Sequence, residues 1–397
     1  MNSRLLEKHH ILFLLVVLSA APLFWPSEFS RAAEIPKLQI KNHLKQGVEK
    51  VFQMDEMGGA AELMQAVDLD KESPTGYAYL ALAYLVFYEM SFEEKERAKT
   101  QETMLRFIGE ALAKGEKWVG KDPKDGDAFL AIALAKLAKI RWLIGQKRYF
   151  AMAQEAQNIW DYLEKARELD PGNYDIYFPM GLLHFHLDHL PGFTRFLSSL
   201  FITSGDRQKG LQELELAATK GEILKELAQA ELCSAYSNFE KQPARALPLA
   251  KNLIQKYPRN YNLLFSLASI LSDLGHTDEA SSVAREIENG IKSGTPPFRS
   301  ELWPRYFQII GKIHFDRGEY ARASEYFNQA IQDVSPYNAR VRALALLRLG
   351  IIHDVRKERK KAEDYYRKAL EVEGGEGLAQ VAAKEYLKTP YSPANRE

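Results

Sequence analysis

An internal repeat of about 34 residues constrains the fold of this chain more than any other feature of its sequence. Ala246 and Ala280 occupy the same position in successive units, and each follows a segment with the same helical spacing of apolar residues. A nearly complete unit runs from Pro304 to Pro336, and much of it recurs in the segment that follows. The positions that carry it are Gly311, Gly318, Tyr320, Ala323, Phe327 and Ala330 in the first unit, and Gly350, Ala362, Tyr366 and Ala369 in the second.

This pattern resembles the tetratricopeptide repeat, in which small residues let two antiparallel helices touch and large residues lock the next pair. The resemblance implies an all-α fold: a right-handed superhelical solenoid of antiparallel helix hairpins with a concave side. The physical logic agrees, because a single hairpin cannot bury its apolar faces and must stack on neighbours. No segment alternates apolar and polar residues over a strand's length, so we expect no sheet.

The units become less regular toward the N-terminus. Gly59, Leu63 and Ala66 indicate a degenerate first hairpin, and seven units are expected in all. Gly181 and Gly210 are separated by more than twice the usual spacing of about 12 residues, which indicates an insertion at 189–205. The expected organisation is a signal peptide (1–32), divergent N-terminal helices (33–120), central units with the insertion (121–258), C-terminal units (259–388) and a flexible tail (389–397).

The order of segments between Tyr177 and Pro258 is similar to that of the eukaryotic tetratricopeptide-39 family and its bacterial relatives. A glycine–leucine helix is followed by an apolar insertion, the segment GDRQKGLQEL and an alanine-rich helix. This narrower resemblance supports the fold and implies no particular chemistry.

The segment 1–32 has the order of a signal peptide. Arg4 and Lys8 precede an apolar run from 11 to 21, and small residues at Ser30 and Ala32 predict cleavage before Ala33. We therefore expect an exported, periplasmic or envelope-associated chain. The alternative is an uncleaved inner-membrane anchor at 11–25, although that run is short for a bilayer.

Charge and cysteine content exclude several classes of function. Lys plus Arg and Asp plus Glu each total 53, so no overall field would gather nucleic acid, and we expect no nucleic-acid partner. Cys233 is the only cysteine, which excludes an intramolecular disulfide, a thiolate zinc cage and an iron–sulfur cluster. Its position in the repeat calls for a small buried side chain, so packing explains it better than nucleophilic chemistry.

The segment HFHLDH is the strongest candidate for a reactive cluster. His184, His186 and His189 could recruit a metal, but no three of its side chains share one helical face. We therefore expect packed or hydrogen-bonded histidines, no bound metal and no cofactor. No glycine-rich phosphate loop, nucleophile elbow or zincin helix is present, so a non-catalytic protein is expected. The basic run 356–361 falls on a turn, which favours a solvated corner over contact with anionic lipid or polysaccharide.

The resemblance also implies which residues point into the concave groove, because certain positions of each first helix face it. The expected groove residues are Asp175, Phe178, Phe185, His186, Glu231, Asn238, Asn262, Phe265, Asp273, Arg305, Gln308, Lys312 and Phe315. Their mixture of aromatic and polar side chains is typical of a surface that binds a protein or peptide. The lysine and asparagine arrangement that holds a C-terminal carboxylate in chaperone-binding relatives is absent from them.

The insertion at 189–205 adds a second candidate docking element. Phe193, Phe196, Leu197, Leu200 and Phe201 recur at steps of one, three or four residues, which predicts one apolar stripe along a short helix. The stripe either packs into the array's own groove or presents a patch to a partner or to a membrane surface. The leading hypothesis is an exported scaffold for envelope assembly or trafficking; the alternatives are a metal-binding factor or enzyme using the histidines, and a lipid-contacting protein.

Overall fold

The computed structural model describes residues 28–156, 158–188 and 206–392, and every regular element in these ranges is helical. The first half contains α1 (Glu28–Phe52), α2 (Glu56–Leu69), α3 (Thr75–Met90), α4 (Glu94–Lys121), α5 (Gly126–Gly145), α6 (Tyr149–Ala156), α7 (Ile159–Leu169), α8 (Tyr177–Asp188) and α9 (Arg207–Lys220). The second half contains α10 (Lys225–Ser234), α11 (Pro243–Lys256), α12 (Tyr261–Asp273), α13 (Thr277–Ser293), α14 (Trp303–Asp316), α15 (Tyr320–Ala330), α16 (Ala339–Val355), α17 (Arg359–Glu371) and α18 (Leu378–Lys388).

The helices pack as hairpins: α1 on α2, α3 on α4, α5 on α7, α8 on α9, α10 on α11, α12 on α13, α14 on α15, and α16 on α17. The predicted all-α fold of antiparallel helix hairpins is confirmed. The described residues contain eight hairpins, one more than the sequence predicts, and α18 covers the last of them. The short helix α6 interrupts the third hairpin, so its signature positions lose their usual spacing.

Small residues sit where the sequence places the helix crossings. A Cβ atom added at Gly311 of α14 would lie 2.7 Å from the ring of Phe327 in α15, and Gly350 of α16 is opposed as closely by Tyr366 of α17. Ala323 and Ala330 are fully buried. These contacts show why a larger side chain is excluded at each crossing.

The hairpin that carries the insertion keeps the same construction. Gly181 of α8 and Gly210 of α9 face each other so closely that a Cβ atom on Gly210 would lie 2.6 Å from the backbone nitrogen of Phe185. The expectation that these glycines belong to one unit is therefore met, despite their separation in sequence. The insertion itself, 189–205, lies outside the described residues.

Contacts between remote hairpins draw the array together. The first hairpin lies against the fifth and sixth: the Phe52 and Tyr257 ring centroids are 5.2 Å apart, and the amide of Asn260 donates to the Phe52 carbonyl at 2.9 Å. Lys256 is 3.2 Å from Glu49. Similar contacts join the second hairpin to the segment before α14 and the third to the segment before α18, through Arg299–Glu96 at 3.8 Å and Lys147–Glu376 at 2.6 Å.

The buried core divides within α14. One apolar cluster runs from Leu44 to Ile313, and a second from Phe315 to Ala383. Within the predicted tail, the backbone nitrogen of Tyr391 donates to Asp354 at 2.9 Å, so this part of the tail is anchored to the last hairpin. Residues 393–397 lie outside the described residues.

Most of the predicted signal peptide also lies outside the described residues, and α1 begins at Glu28, ahead of the predicted cleavage site. None of the helices in the described ranges combines the length and the apolar character that a membrane span requires. The candidate anchor at 11–25 falls in the part that is not described.

Candidate partner-binding face

The first helices of successive hairpins form the inner layer of the array. In the described chain α3 packs on α5, α12 on α14 and α14 on α16, whereas second helices make no comparable contacts with one another. Curvature brings the helices of an inner layer closer than those of an outer layer, so the concave face belongs to the first helices. We call this layer the first-helix face.

A bidentate ion pair joins the second and third hairpins on this face. Arg141 of α5 donates from Nε to Glu89 Oε1 at 2.7 Å and from Nη2 to Oε2 at 2.9 Å, the geometry in which a guanidinium holds a carboxylate best. The charge of Glu89 raises the pKa of Arg141 above its usual range. Both side chains remain about half exposed, so the pair faces solvent while its geometry is fixed.

A second polar pair on the first-helix face, between a histidine and a carboxylate, joins the fourth and fifth hairpins. His186 Nε2 of α8 lies 2.6 Å from Glu231 Oε1 of α10. Burial raises the pKa of Glu231, but the hydrogen bond and charge of His186, with the charge of Arg141, outweigh it and leave that pKa below its ordinary value. The carboxylate therefore stays ionised beside His186 and Arg141.

A π-helical turn follows α10 directly and carries the groove residue Asn238 and, next to it, Phe239. Residues Ala235–Phe239 form this turn, a local widening of the helix that is frequent at functional sites. Asn238 is exposed there, and the Phe239 ring meets Phe185 edge-on with centroids 5.5 Å apart.

Farther along the face, Arg305 of α14 is held without an acidic partner. Its Nη1 donates to Asn262 Oδ1 at 2.5 Å, and its guanidinium carbon lies 4.3 Å from the Phe265 ring centroid. No carboxylate of the described ranges lies within ion-pair distance of it. Burial lowers the pKa of Arg305 to about 10, an effect that Tyr261 partly offsets. At neutral pH this side chain is an oriented and uncompensated cation.

Lys312, about two helical turns beyond Arg305, is by contrast fully engaged. Its Nζ lies 2.6 Å from both Asp273 and Asp316, and Ser272 also donates to Asp316 at 2.6 Å. The lysine is buried, so these carboxylates stabilise a charge that water no longer reaches. The network ties α12 to α14 and offers a ligand little free charge.

The thirteen residues expected in the groove fall into two groups. Seven are buried: Asp175, Phe178, Phe185, Phe265, Gln308, Lys312 and Phe315. His186, Glu231, Asn262 and Arg305 are half-buried, and Asn238 and Asp273 are exposed. Neighbouring hairpins lie close together, so part of the inner layer becomes core. Asp175 shows the change of role, because its carboxylate accepts the backbone N–H groups of Ile223 and Leu224 at 3.0 Å and so holds the loop that leads into α10.

Sequence reasoning missed Glu89 and Arg141. Their hairpins lack the clear repeat signature, and α5 is 20 residues long, so Arg141 lies beyond the positions that face the groove in a standard unit. A signal was nevertheless present, because each is a charged residue near the C-terminal end of a largely apolar first helix, and Glu89 is the only charged residue of α3.

The candidate reactive residues have structural partners. His184 is buried with Nδ1 2.6 Å from Glu213 Oε2, and His186 binds a different carboxylate, so the two rings do not converge. In the described ranges no group of three His, Cys, Asp or Glu side chains could hold a metal ion, and His189 lies outside them. Cys233 is buried near the Ala246 carbonyl, and burial raises its thiol pKa to about 12.

The basic run at 356–361 forms the turn between α16 and α17, where the sequence places it. Arg359 is not a solvated residue: it lies 3.0 Å from Asp354 and donates to the backbone carbonyls of Tyr386 and Leu387 at the end of α18. The rest of the run is exposed or half-buried. The predicted docking residues of the insertion, Phe193 to Phe201, lie outside the described residues.

Comparison with known proteins supports the repeat type. Residues 304–332 match the family profile of the tetratricopeptide repeat, the segment that carries the fullest signature. Solved structures with a similar fold include human IFIT1, in a dimer with PPP-AAAA, at 15% identity over 89% of this chain and 84% of that one, with a TM-score of 0.45.

Two further structures are similar at lower scores. Yeast Tom70 is 12% identical over 90% of this chain and 83% of its own, with a TM-score of 0.36. A tetratricopeptide repeat protein from Parabacteroides merdae is 14% identical over 74% and 92%, with a TM-score of 0.29. No curated protein sequence matches this chain significantly.

Proposed function

We propose that this protein is a non-catalytic scaffold of the bacterial envelope that binds a protein or peptide segment along its first-helix face. The observation that carries the proposal is a row of polar residues on this face, which we call the polar strip. Its members are Glu89, Arg141, His186, Glu231, Asn262 and Arg305. An ion pair holds Arg141 and a hydrogen bond holds His186 against their carboxylates, whereas Arg305 is oriented but lacks an acidic partner among the described residues.

Such a strip suits an extended polypeptide better than a small substrate. Its members come from six first helices, α3, α5, α8, α10, α12 and α14, so it presents hydrogen-bonding groups along a length rather than at a point. Aromatic rings at Phe239 and beneath Arg305 supply apolar contact beside the charges.

Arg305 gives the polar strip a positive charge that a partner can neutralise. It lies in the first turn of α14, where the helix dipole adds positive potential, and a carboxylate or backbone carbonyl of a partner would complete its hydrogen bonds. The balanced charge of the whole chain, 53 basic against 53 acidic residues, favours a polypeptide partner over nucleic acid.

Site-specific photo-crosslinking tests the face directly. A photoreactive residue at Asn238 or Asn262 should give the same partner adduct in cells, because both positions lie on the first-helix face. Glu325 and Gln329, exposed on the second helix α15, are the matched positions and should give none. Adducts at all four positions, or only at the second pair, would contradict the proposal.

A charge reversal tests whether the partner binds at Arg305. Arg305→Glu should remove the adduct at Asn262, since it places a carboxylate where the partner's is expected. Arg285→Glu makes the same change on the exposed surface of α13 and should leave the adduct intact. A comparable loss in both variants would point to overall charge instead.

The envelope location is supported by the N-terminal pattern, and intact mass tests it. The mature chain should begin at Ala33, as the small residues at Ser30 and Ala32 predict. A mass that retains the segment 1–32 would favour the uncleaved anchor.

The apolar insertion at 189–205 is proposed as a second contact element, with a membrane surface as the alternative ligand. Changing Phe193, Phe196 and Phe201 to serine distinguishes core from docking element. Intact folding with lost adducts or lost membrane association supports docking, whereas lost stability with adducts retained shows that the segment is part of the core.

A further inference from the structure

A cavity of about 530 Å³ lies under the N-terminal half of α1, at the N-terminal ends of α3 and α5. Its roof is formed by Lys37, Leu38, Ile40, Lys41 and Leu44 of α1. Its walls are the four loops that connect the first five hairpins, where each second helix ends and the next first helix begins. We call this cavity the α1 cradle.

The cradle is acidic. Six acidic residues and three lysines line it. The acidic residues are Asp70, Asp125, Asp127, Asp170, Asp175 and Glu222, and the lysines are Lys37, Lys41 and Lys220. Lys41 forms its ion pair with Glu222. Among the described residues none of the three lysines lies within ion-pair distance of any of the five aspartates.

Three of the aspartates are occupied by the fold itself. Asp70 accepts the backbone N–H of Ser73 at 3.1 Å, Asp125 accepts the indole N–H of Trp118 at 2.9 Å, and Asp175 accepts the backbone N–H of Leu224 at 3.0 Å. These contacts explain why the residues are there, so they are not free ligand groups.

Asp127 and Asp170 remain available. The carboxylate of Asp127 accepts one long hydrogen bond, 3.5 Å from the amide of Asn173, and that of Asp170 has no side-chain partner within the described ranges. Asp127 is exposed at its surface, but partial loss of solvent raises the pKa of its carboxyl, the charges of Asp125 and Asp170 raise it further, and those of Lys37 and Lys41 lower it. The local charge is therefore undercompensated.

Tyr79 supplies an independent sign of a ligand. This residue of α3 lines the cradle and is 3% exposed, yet its hydroxyl makes no hydrogen bond with any described residue. A tyrosine this buried usually has a partner for its hydroxyl, and here the hydroxyl is open to the cradle. Burial, with the charges of Asp175 and Asp127, raises the pKa of Tyr79 well above its ordinary value, so the group stays a neutral hydroxyl that can accept a hydrogen bond.

The shape of the cradle argues against a bare metal ion. No three acidic side chains of the described ranges approach closely enough to coordinate one, and the volume is many times that of a single water. Leu130, Ala131 and Ile223 add an apolar floor that would cover methylene groups. The fitting ligand has cationic donors joined by an aliphatic chain.

We propose that the α1 cradle binds an alkyl ammonium or guanidinium group, with Asp127 and Asp170 as its charge partners and Tyr79 as a hydrogen-bond acceptor. The apolar floor holds the alkyl chain. Such a ligand comes either as a free polyamine or as a basic side chain of a peptide, and the chemistry of recognition is the same for both.

Calorimetry on the full mature chain tests the site with two probes, spermidine and a tri-lysine peptide. Binding of spermidine alone identifies a polyamine site, and binding of the peptide at least as tightly identifies a basic side chain as the ligand. Asp127→Asn with Asp170→Asn should weaken binding about tenfold or more, since two charge partners are lost. Tyr79→Phe should weaken it severalfold while leaving the charge unchanged.

Asp161→Asn is the matched control, because this aspartate is exposed on α7 and does not line the cradle. Its binding should equal that of the original protein. The single variant Asp170→Asn, at an exposed loop residue, replaces the double variant if the latter does not fold. Absence of binding by both probes at millimolar concentration, or equal weakening by Asp161→Asn, would overturn the proposal. Crosslinks at the first-helix face should be unaffected in every cradle variant.

Discussion

The last two hairpins and the first one are stabilised in different ways. In α14–α15, His314 Nδ1 lies 2.7 Å from Glu319 and its ring stacks on Tyr326 with centroids 5.3 Å apart. The following hairpin repeats the arrangement with His353, Glu358 and Tyr365, at 2.5 Å for the hydrogen bond and 5.2 Å for the ring centroids. Each copy uses only residues of its own hairpin.

The first hairpin has a histidine–glutamate pair of its own, His43 with Glu62 at 2.8 Å, and adds contacts with residues that are remote in the sequence. Phe52 and Glu49 of α1 contact Tyr257, Lys256 and Asn260, from the end of α11 to the start of α12. The difference teaches that remote contacts can add to the stability of a hairpin whose repeat signature is weak.

The largest effect is expected at Gly210, in a hairpin whose unit the insertion has stretched. Gly210→Val places its Cβ against the backbone of Phe185 and Gly181, which cannot move aside as a side chain can. We expect a loss of about 3 kcal/mol or more in the free energy of unfolding, measured by urea denaturation.

Gly120→Ala is the control for that experiment. An added Cβ there meets nothing within 4 Å, and alanine is the better helix former, so stability should stay constant or rise by up to about 1 kcal/mol. A mild effect of Gly210→Val would show that close packing matters less in divergent hairpins than in regular ones.

A second effect is expected at a crossing that the repeat signature does mark. Ala323→Phe inserts a ring at a fully buried position of α15 and should cost about 1–3 kcal/mol by overpacking. Ser324→Ala, next to it and half-buried, is the matched change and should cost little. If Ala323→Phe kept the thermal stability of the original chain, the assignment of residues to repeat positions in this unit would be wrong.

Two contacts show how far the sequence determines the fold. The sequence predicted the helix crossing at Gly311, Ala323 and Phe327, because local spacing alone fixes which residues meet inside a hairpin. The contact of Phe52 with Asn260 could not be foreseen, because it depends on the summed rotation of several intervening hairpins.

The candidate site followed the same division. His186, Glu231 and Arg305 were predicted from their positions in units with recognisable signature residues, whereas Glu89 and Arg141 lie in hairpins without a clear signature. The position of a residue within its unit did not predict that Phe265 and Lys312 would be buried, since burial depends on how closely the neighbouring hairpins approach.

A smaller effect is expected at the remote contact itself. Asn260→Ala removes the bond to the Phe52 carbonyl and the cap of α12, where Asn260 Oδ1 accepts the Leu263 N–H, and should cost about 1–2 kcal/mol. Hydrogen exchange should accelerate in α1 as well as in α12.

Asp206→Ala is the comparison for this change, since its carboxylate caps α9 locally by accepting the Lys209 N–H at 2.9 Å. It should accelerate exchange at α9 and leave α1 unchanged. If Asn260→Ala also left α1 unchanged, the first hairpin would be stable without its remote partners.

The smallest effect concerns the pH dependence of the repeated histidine–glutamate pairs. The hydrogen bond from His314 lowers the pKa of Glu319 below its ordinary value, and that from His353 does the same for Glu358. A carboxyl with a lower pKa in the folded state contributes stability that is present above its unfolded pKa and is lost as pH falls through the folded value. Urea midpoints should therefore fall less steeply between about pH 5 and 3 in Glu319→Gln with Glu358→Gln than in the original chain. Glu325→Gln, exposed on α15 and without an ion pair in the described ranges, should keep the original slope. Equal slopes in all three proteins would mean that the repeated pairs position the histidine rings without contributing to stability.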